Sequence, residues 1–158
     1  MGIVASLKST PLITRKLAAT LLICNLIGMP AIAGEPSPIG LWRTFDDRDG
    51  QAASLVRIED RGGILEGRVI KILPRPGHPT DALCVKCDGA RKNQPITGMT
   101  IMWDMKRDGD EYAGGQIIDP DNGNIYRCKM RVSDNKLDVR GYLGISLFGR
   151  TQTWVREP

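Results

Sequence analysis

From Ile39 to its C-terminus the chain is written in short runs that alternate apolar and polar residues. A period of two suits only extended strands, whose successive side chains face opposite sides. The runs cover residues 39–46, 53–60, 63–73, 97–106, 110–118, 124–133, 136–144 and 150–157, eight in all. No stretch among them sustains a helical period, so the fold class is all-β. Most of the gaps hold turn formers: Asp49-Gly50, Gly62-Gly63, Asp108-Gly109, Asn122-Gly123 and Asp134-Asn135. Such pairs accept the positive φ of tight hairpins, so sequential strands pair as a meander. Eight antiparallel strands in about 120 residues are best closed as an up-and-down barrel, which removes exposed edges. A two-sheet β-sandwich is the alternative.

Alternation also assigns faces. Met99, Ile101, Trp103 and Met105 share one side of their run, and Tyr126, Cys128, Met130 and Val132 share one side of theirs. These sides are expected to point inward, while Arg127, Lys129 and Arg131, or Asp104 and Lys106, read as the solvated exterior.

The first 33 residues have a different character. Lys8, Arg15 and Lys16 precede an apolar run from Leu17 to Met29, followed by Ala31-Ile32-Ala33, the layout of a secretory signal peptide cleaved after Ala33. The run is thirteen residues long and interrupted by Thr20 and Asn25, short of the roughly 20 that a spanning helix needs. The expected organisation is therefore a signal peptide over 1–33, a short extension over 34–38 and one barrel domain over 39–158, exported to the periplasm or secreted and not membrane-spanning after cleavage. Without the three basic residues of the signal, the 22 Lys and Arg fall to 19 against 18 Asp and Glu, a net charge of +1. That gives no evidence of the concentrated basic surface a nucleic-acid partner requires, and no nucleic-acid partner is expected.

One connection breaks the meander: residues 74–96, "PRPGHPTDALCVKCDGARKNQPI", run well past the length usual for an unstructured loop. Such a loop is stapled, functional or both. Within it Cys84 and Cys87 form a C-x-x-C pair, which in an oxidising compartment favours a local disulfide. Two other readings are a redox pair, which lacks the βαβ context, and a zinc site with His78 and Cys128, which lacks a second C-x-x-C. Cys128 is then left as a buried free thiol, and neither a metal nor a cofactor is implied.

Two further stretches imitate catalytic or metal-binding motifs. "DPDNG" over 119–123 has the opening spacing of a calcium loop, but Gly123 and Met130 stand where oxygen ligands are needed, so it reads as a hairpin turn. "GISLFG" over 144–149 resembles a nucleophile elbow around Ser146, yet it is one residue too long and lies between strands. The single histidine, His78, is the only available base and sits between prolines in the long loop. The balance is against an enzyme, and no catalytic residue is assigned. Gly141, Gly144 and Gly149 instead suggest a barrel corner, with Tyr142, Phe148 and Trp154 packing one end. Arg150 and Gln152 share the alternating face of Trp154, and the pattern leaves open whether they line the lumen or its rim.

Gly40-x-Trp42 opens the first strand and Arg156 ends the last. This pairing resembles calycin-type barrels such as lipocalins, in which an arginine near the C-terminus packs over the first-strand tryptophan and closes one end. Four blocks carry a wider resemblance: "GLWRT" from Gly40, "CVKCDGARKNQPITG" from Cys84, "GGQIIDPDNGNIYRCK" from Gly114 and "RGYLGISLFGRTQTW" from Arg140. Together they resemble the bacterial exported family called domain of unknown function 2147. The resemblance implies a small lipocalin-like barrel behind a signal peptide, and no established activity.

The functional expectation is a non-catalytic barrel that binds a small apolar, lipid-like or amphipathic ligand, since eight-stranded barrels are of a size to enclose one. Its candidate residues are Met99, Ile101, Trp103, Met105, Tyr126, Met130, Arg150 and Gln152. In the alternative these side chains fill the lumen and the protein is an envelope interaction module acting through its surface. A hydrolase using Ser146 comes third.

Overall fold

The computed structural model describes Gly2 and residues 36–158, so the signal-peptide expectation for 1–33 lies outside the described residues. Eight strands follow in order: β1 (Gly40–Phe45), β2 (Ala52–Asp60), β3 (Leu65–Ile72), β4 (Thr100–Asp108), β5 (Glu111–Ile118), β6 (Ile125–Ser133), β7 (Lys136–Tyr142) and β8 (Gly149–Arg156). Each pairs antiparallel with its neighbour, and β8 returns to β1 through Trp42 opposite Arg156 and Arg43 opposite Val155, closing the barrel. The seam is short and is reinforced beside it: Arg43 donates to Glu157 at 2.6 Å, and the Glu157 N–H donates to the Leu41 carbonyl at 2.9 Å. Expected strand limits agree with the observed ones to within three residues. The hairpin turns form where short dipeptides allow positive φ, as at Gly109 (63°) and Asp134 (52°).

Because consecutive strands alternate direction, the β2–β3, β4–β5 and β6–β7 turns gather at one end with both the start of β1 and the end of β8. That end is closed. Trp42, Pro38, Met102, Met105, Met130 and Leu137 are all fully buried there or just above it. The Trp42 indole N–H donates to the Pro38 carbonyl at 2.7 Å, and the Arg156 guanidinium stacks on the ring 4.2 Å from its centroid. Arg156 also donates to the Ile39 and Ser37 carbonyls at 3.0 and 2.6 Å. Gly40, at φ 139°, makes this possible: a Cβ there would come within 2.7 Å of Arg156 Nη1. The G-x-W spacing therefore encodes a plug, with glycine clearing space for the cation that covers the tryptophan.

Strict alternation fails on β4, and this corrects the interior assignment of Trp103. The register with β3 slips twice, from Arg68 opposite Thr100 to Gly67 opposite Met102 and then to Leu65 opposite Met105, and Asp104 takes φ 59°. Each bulge inserts one residue and reverses the facing of the residues beyond it. Ile101 and Met102 are consequently both buried, and Met102 packs against Gly67 on the inner side. Trp103 turns outward, where its indole donates to Gln116 at 3.1 Å and Arg91 stacks over it at 4.5 Å. On β6 the alternation holds, with Cys128 and Met130 buried.

Candidate functional site

The opposite end collects the β1–β2 loop, the long β3–β4 connection, the β5–β6 turn and the β7–β8 loop. The connection is ordered by its own backbone. The Cys84 and Asn93 N–H groups donate to the Gln94 and Cys84 carbonyls at 2.9 and 3.0 Å, Ile96 donates to Ala82 at 3.0 Å, and a 3-10 turn spans Gly89–Arg91. Cys84 and Cys87 form the disulfide, which leaves neither of them as a thiolate for the zinc reading. The β5–β6 turn is pressed against this segment, since any Cβ at Gly123 would overlap the Lys86 carbonyl. Cys128 lies fully buried on β6, and burial pushes its thiol up to about 12, so it is an inert apolar group.

Between these loops and the closed end lies a cavity of about 630 Å³. All eight strands reach it: Thr44, Ser54, Val69 and Ile101 from β1 to β4, then Ile117, Tyr126, Val139 and Gln152 from β5 to β8. The wall is mainly apolar, and its hydroxyls are satisfied within it, Thr44 Oγ1 lying 2.8 Å from Ser54 Oγ. Gly141 adds volume by having no side chain beside Tyr126 and Ile117. The exposed residues Asp47, Arg48, Asp121, Phe148 and Arg150 complete the lining, so the cavity opens to solvent at this end.

The mouth is a network of opposed charges. Asp46, buried, accepts from Arg48 at 2.6 and 2.9 Å and faces Arg75 Nη1 at 2.8 Å. The Arg48 hydrogen bonds, helped by Arg75 against the opposing effect of burial, hold the Asp46 carboxyl well below the usual carboxylate range. Arg48 reaches on to Asp121 at 3.0 Å, tying the β1–β2 loop to the β5–β6 turn. In that turn Asp119 accepts from the Asp121 N–H and the Asn122 amide, while burial moves its carboxyl upward. The Arg75 side chain is itself only 9% exposed, and its Nε has no hydrogen-bond partner among the described residues. Its Nη2 lies 3.4 Å from His78 Nδ1.

Of the eight candidate residues, the structure brings Ile101, Tyr126, Arg150 and Gln152 to the cavity and places the other four elsewhere. Met105 and Met130 belong to the packed closed half, and Met99 is buried at the end of the long connection. Trp103 is outside, for the reason given by the β4 bulges. Arg150 and Gln152, which alternation left between lumen and rim, both pair with Asp47: Arg150 through an ion pair and Gln152 through an amide hydrogen bond of 2.8 Å. Gln152 in turn accepts from the Trp154 indole at 3.2 Å, so one polar chain runs from the rim into the core. Phe148 requires correction: it does not pack a barrel end but stands 72% exposed at the mouth, whereas Trp154 is buried. Sequence reasoning missed Asp46 and Arg75, which read locally as ordinary loop charges and meet only when the loops converge. Ser146 does not line the cavity, and no hydrogen bond joins it to His78 among the described residues.

A closed eight-stranded barrel, plugged at one end by Trp42 and Arg156 and hollow at the other, is a lipocalin-like architecture. Residues 40–156 match the family described as "Uncharacterized protein conserved in bacteria (DUF2147)", and the chain belongs to it. Among solved structures it is similar to the protein HP1028 from the human pathogen Helicobacter pylori, described as belonging to the lipocalin family. The identity is 18%, the TM-score 0.66, and the match covers 79% of this chain and 84% of that one. At that identity the likeness is one of fold. No curated protein matches the chain.

Proposed function

We propose that this protein is an exported, non-catalytic carrier that holds one small amphipathic molecule, with its apolar body inside the barrel and its polar end among the charges of the mouth. The observation that carries this reading is the 630 Å³ cavity lined by all eight strands, a volume within the range of small-molecule sites. The chemistry of the lining supports the orientation. Val69, Ile72, Ile101 and Ile117 form an apolar wall below, and Asp46, Arg75, Arg48 and Asp119 stand above it. Arg75 Nε, buried and unpartnered, supplies a donor for a polar group at the boundary. Export is supported by the basic, apolar and small-residue order of residues 1–33.

Native mass spectrometry of the protein recovered from a bacterial envelope tests the proposal, as does displacement of an environment-sensitive apolar dye. A 1:1 adduct and saturable dye binding are expected, with Gly141→Leu weakening the dye at least tenfold by occupying the space beside Tyr126 and Ile117. Dye binding that ignores Gly141→Leu, or protein free of any adduct on repeated isolation, rejects the carrier reading. A mature N-terminus at Gly34 tests export.

A further inference from the structure

The β7–β8 loop does not follow the usual rule for a surface loop. Between Tyr142 and Gly149 it holds Leu143, Ile145, Leu147 and Phe148, exposed by 64, 61, 74 and 72%. Scattered exposed apolar residues need no explanation, but four in one six-residue loop make a patch. Arg140 fixes it: the guanidinium donates to the Ser146 carbonyl at 2.7 Å and the Leu147 carbonyl at 3.1 Å, and also to Thr151. The Phe148 N–H closes a turn onto the Ile145 carbonyl at 3.2 Å. Backbone groups of the loop are thus satisfied from below, while its apolar side chains are held outward.

Two cations beside it are not opposed by a carboxylate. Of the three arginines between Val139 and Arg156, Arg150 pairs with Asp47 at the mouth and Arg156 covers Trp42 at the closed end, which leaves Arg140 beneath the loop. Arg140 contacts only neutral oxygens, and Arg127, exposed and opposite Tyr142 on the neighbouring strand, has no acidic partner among the described residues. An apolar tip above a cationic base matches a membrane surface with anionic headgroups, where apolar groups enter the acyl boundary and arginines remain at the phosphates. Leu143 and Phe148 also line the cavity mouth, so the same loop borders the opening.

From this geometry we infer that the β7–β8 loop docks the barrel on an anionic lipid bilayer, with the cavity mouth facing the lipid. The inference extends the carrier reading by naming the surface on which it would load or unload, but the docking itself rests on the loop and its arginines.

The test uses the full chain carrying Leu147→Trp and vesicles of phosphatidylglycerol mixed with phosphatidylcholine, some with brominated acyl chains. The new indole is expected to shift to the blue and to be quenched by the bromines. Ile145→Glu/Leu147→Glu is expected to lower vesicle affinity at least tenfold, and Arg127→Glu or pure phosphatidylcholine to lower it about fivefold for each arginine no longer held at a phosphate. Ile145 and Leu147 do not line the cavity, so saturable dye binding without vesicles persists in the double variant, which separates failure of docking from failure of the carrier reading. An unquenched Trp at position 147 overturns the inference. So does vesicle affinity indifferent to the loop, or self-association abolished by the same substitutions in place of vesicle binding.

Discussion

The two ends of the barrel are built by the same eight strands and differ in what they place inside. Descending toward the closed end, inward positions carry Trp42, Ile58, Met130, Leu137 and Trp154, all of them buried. Two residues nearer the mouth the same strands offer Thr44 on β1, Val139 on β7 and Gln152 on β8, and beyond Val139 comes Gly141. On these three strands the inward side chain nearer the mouth is smaller than the one below it, which helps to open the cavity. Stability is thereby concentrated at one end, and the other is held by loop charges and a staple.

The strongest way to break this comparison is Trp42→Ala against Thr44→Ala. The first removes a fully buried indole and its stack with Arg156, and is expected to cost about 4 kcal/mol in denaturant unfolding. The second removes a hydroxyl that lies 2.8 Å from Ser54 Oγ and accepts from the Ser54 N–H at 3.2 Å, and should cost about 1 kcal/mol. Equal losses would show that the open end bears as much of the fold as the closed one.

Asp46→Asn probes the charge network that replaces a core at the mouth. Leaving Arg75 with only the more distant Asp49 carboxylate, 3.6 Å away, is expected to cost about 3 kcal/mol. The pH dependence has a definite sign. The folded carboxyl titrates below the ordinary 3.8, so its contribution is complete above that value and disappears as pH falls through the folded value. Urea midpoints measured from pH 6 down to pH 2 should therefore fall less steeply in Asp46→Asn than in the native chain.

Cys84→Ser/Cys87→Ser should cost about 2 kcal/mol, the effect of closing a short loop in the chain-entropy model. Amide exchange should rise in the 74–96 connection and leave β6 and β7 protected; uniform deprotection would mean that the staple supports the whole barrel.

The smallest contrast is between two inward glycines. A Cβ at Gly67 would lie 3.1 Å from the Met102 Cβ, so Gly67→Ala is expected to cost about 1 kcal/mol. At Gly141 the nearest atom is 3.4 Å away on the cavity wall. Gly141→Ala should leave stability unchanged or raise it by about 0.5 kcal/mol through the unfolded chain. Thermal unfolding of the pair places the boundary between packed and hollow halves.

Much of this was legible in the residues. Period-two runs and turn dipeptides gave the eight strands and their order, because both signals are local. The plug was legible through the resemblance to calycin-type barrels, which Gly40 and Trp42 on the first strand and Arg156 on the last carry. The cavity lining was legible only in part. Tyr126 and Gln152 lie on strands where alternation runs unbroken to the mouth, whereas Trp103 follows a bulge that no local pattern announces. Asp46 and Arg75 were hidden for a different reason: their meeting depends on two loops 29 positions apart converging at one end.

By itself, then, the sequence determined the strand count and the antiparallel order, which follow from short-range periodicity and turn chemistry; closure was favoured over a sandwich and is made by the long-range pairing of β1 with β8. Only the tertiary structure decided which half is hollow, where β4 reverses its faces and how the mouth charges pair. Those depend on register and on side chains from distant strands competing for one interior volume.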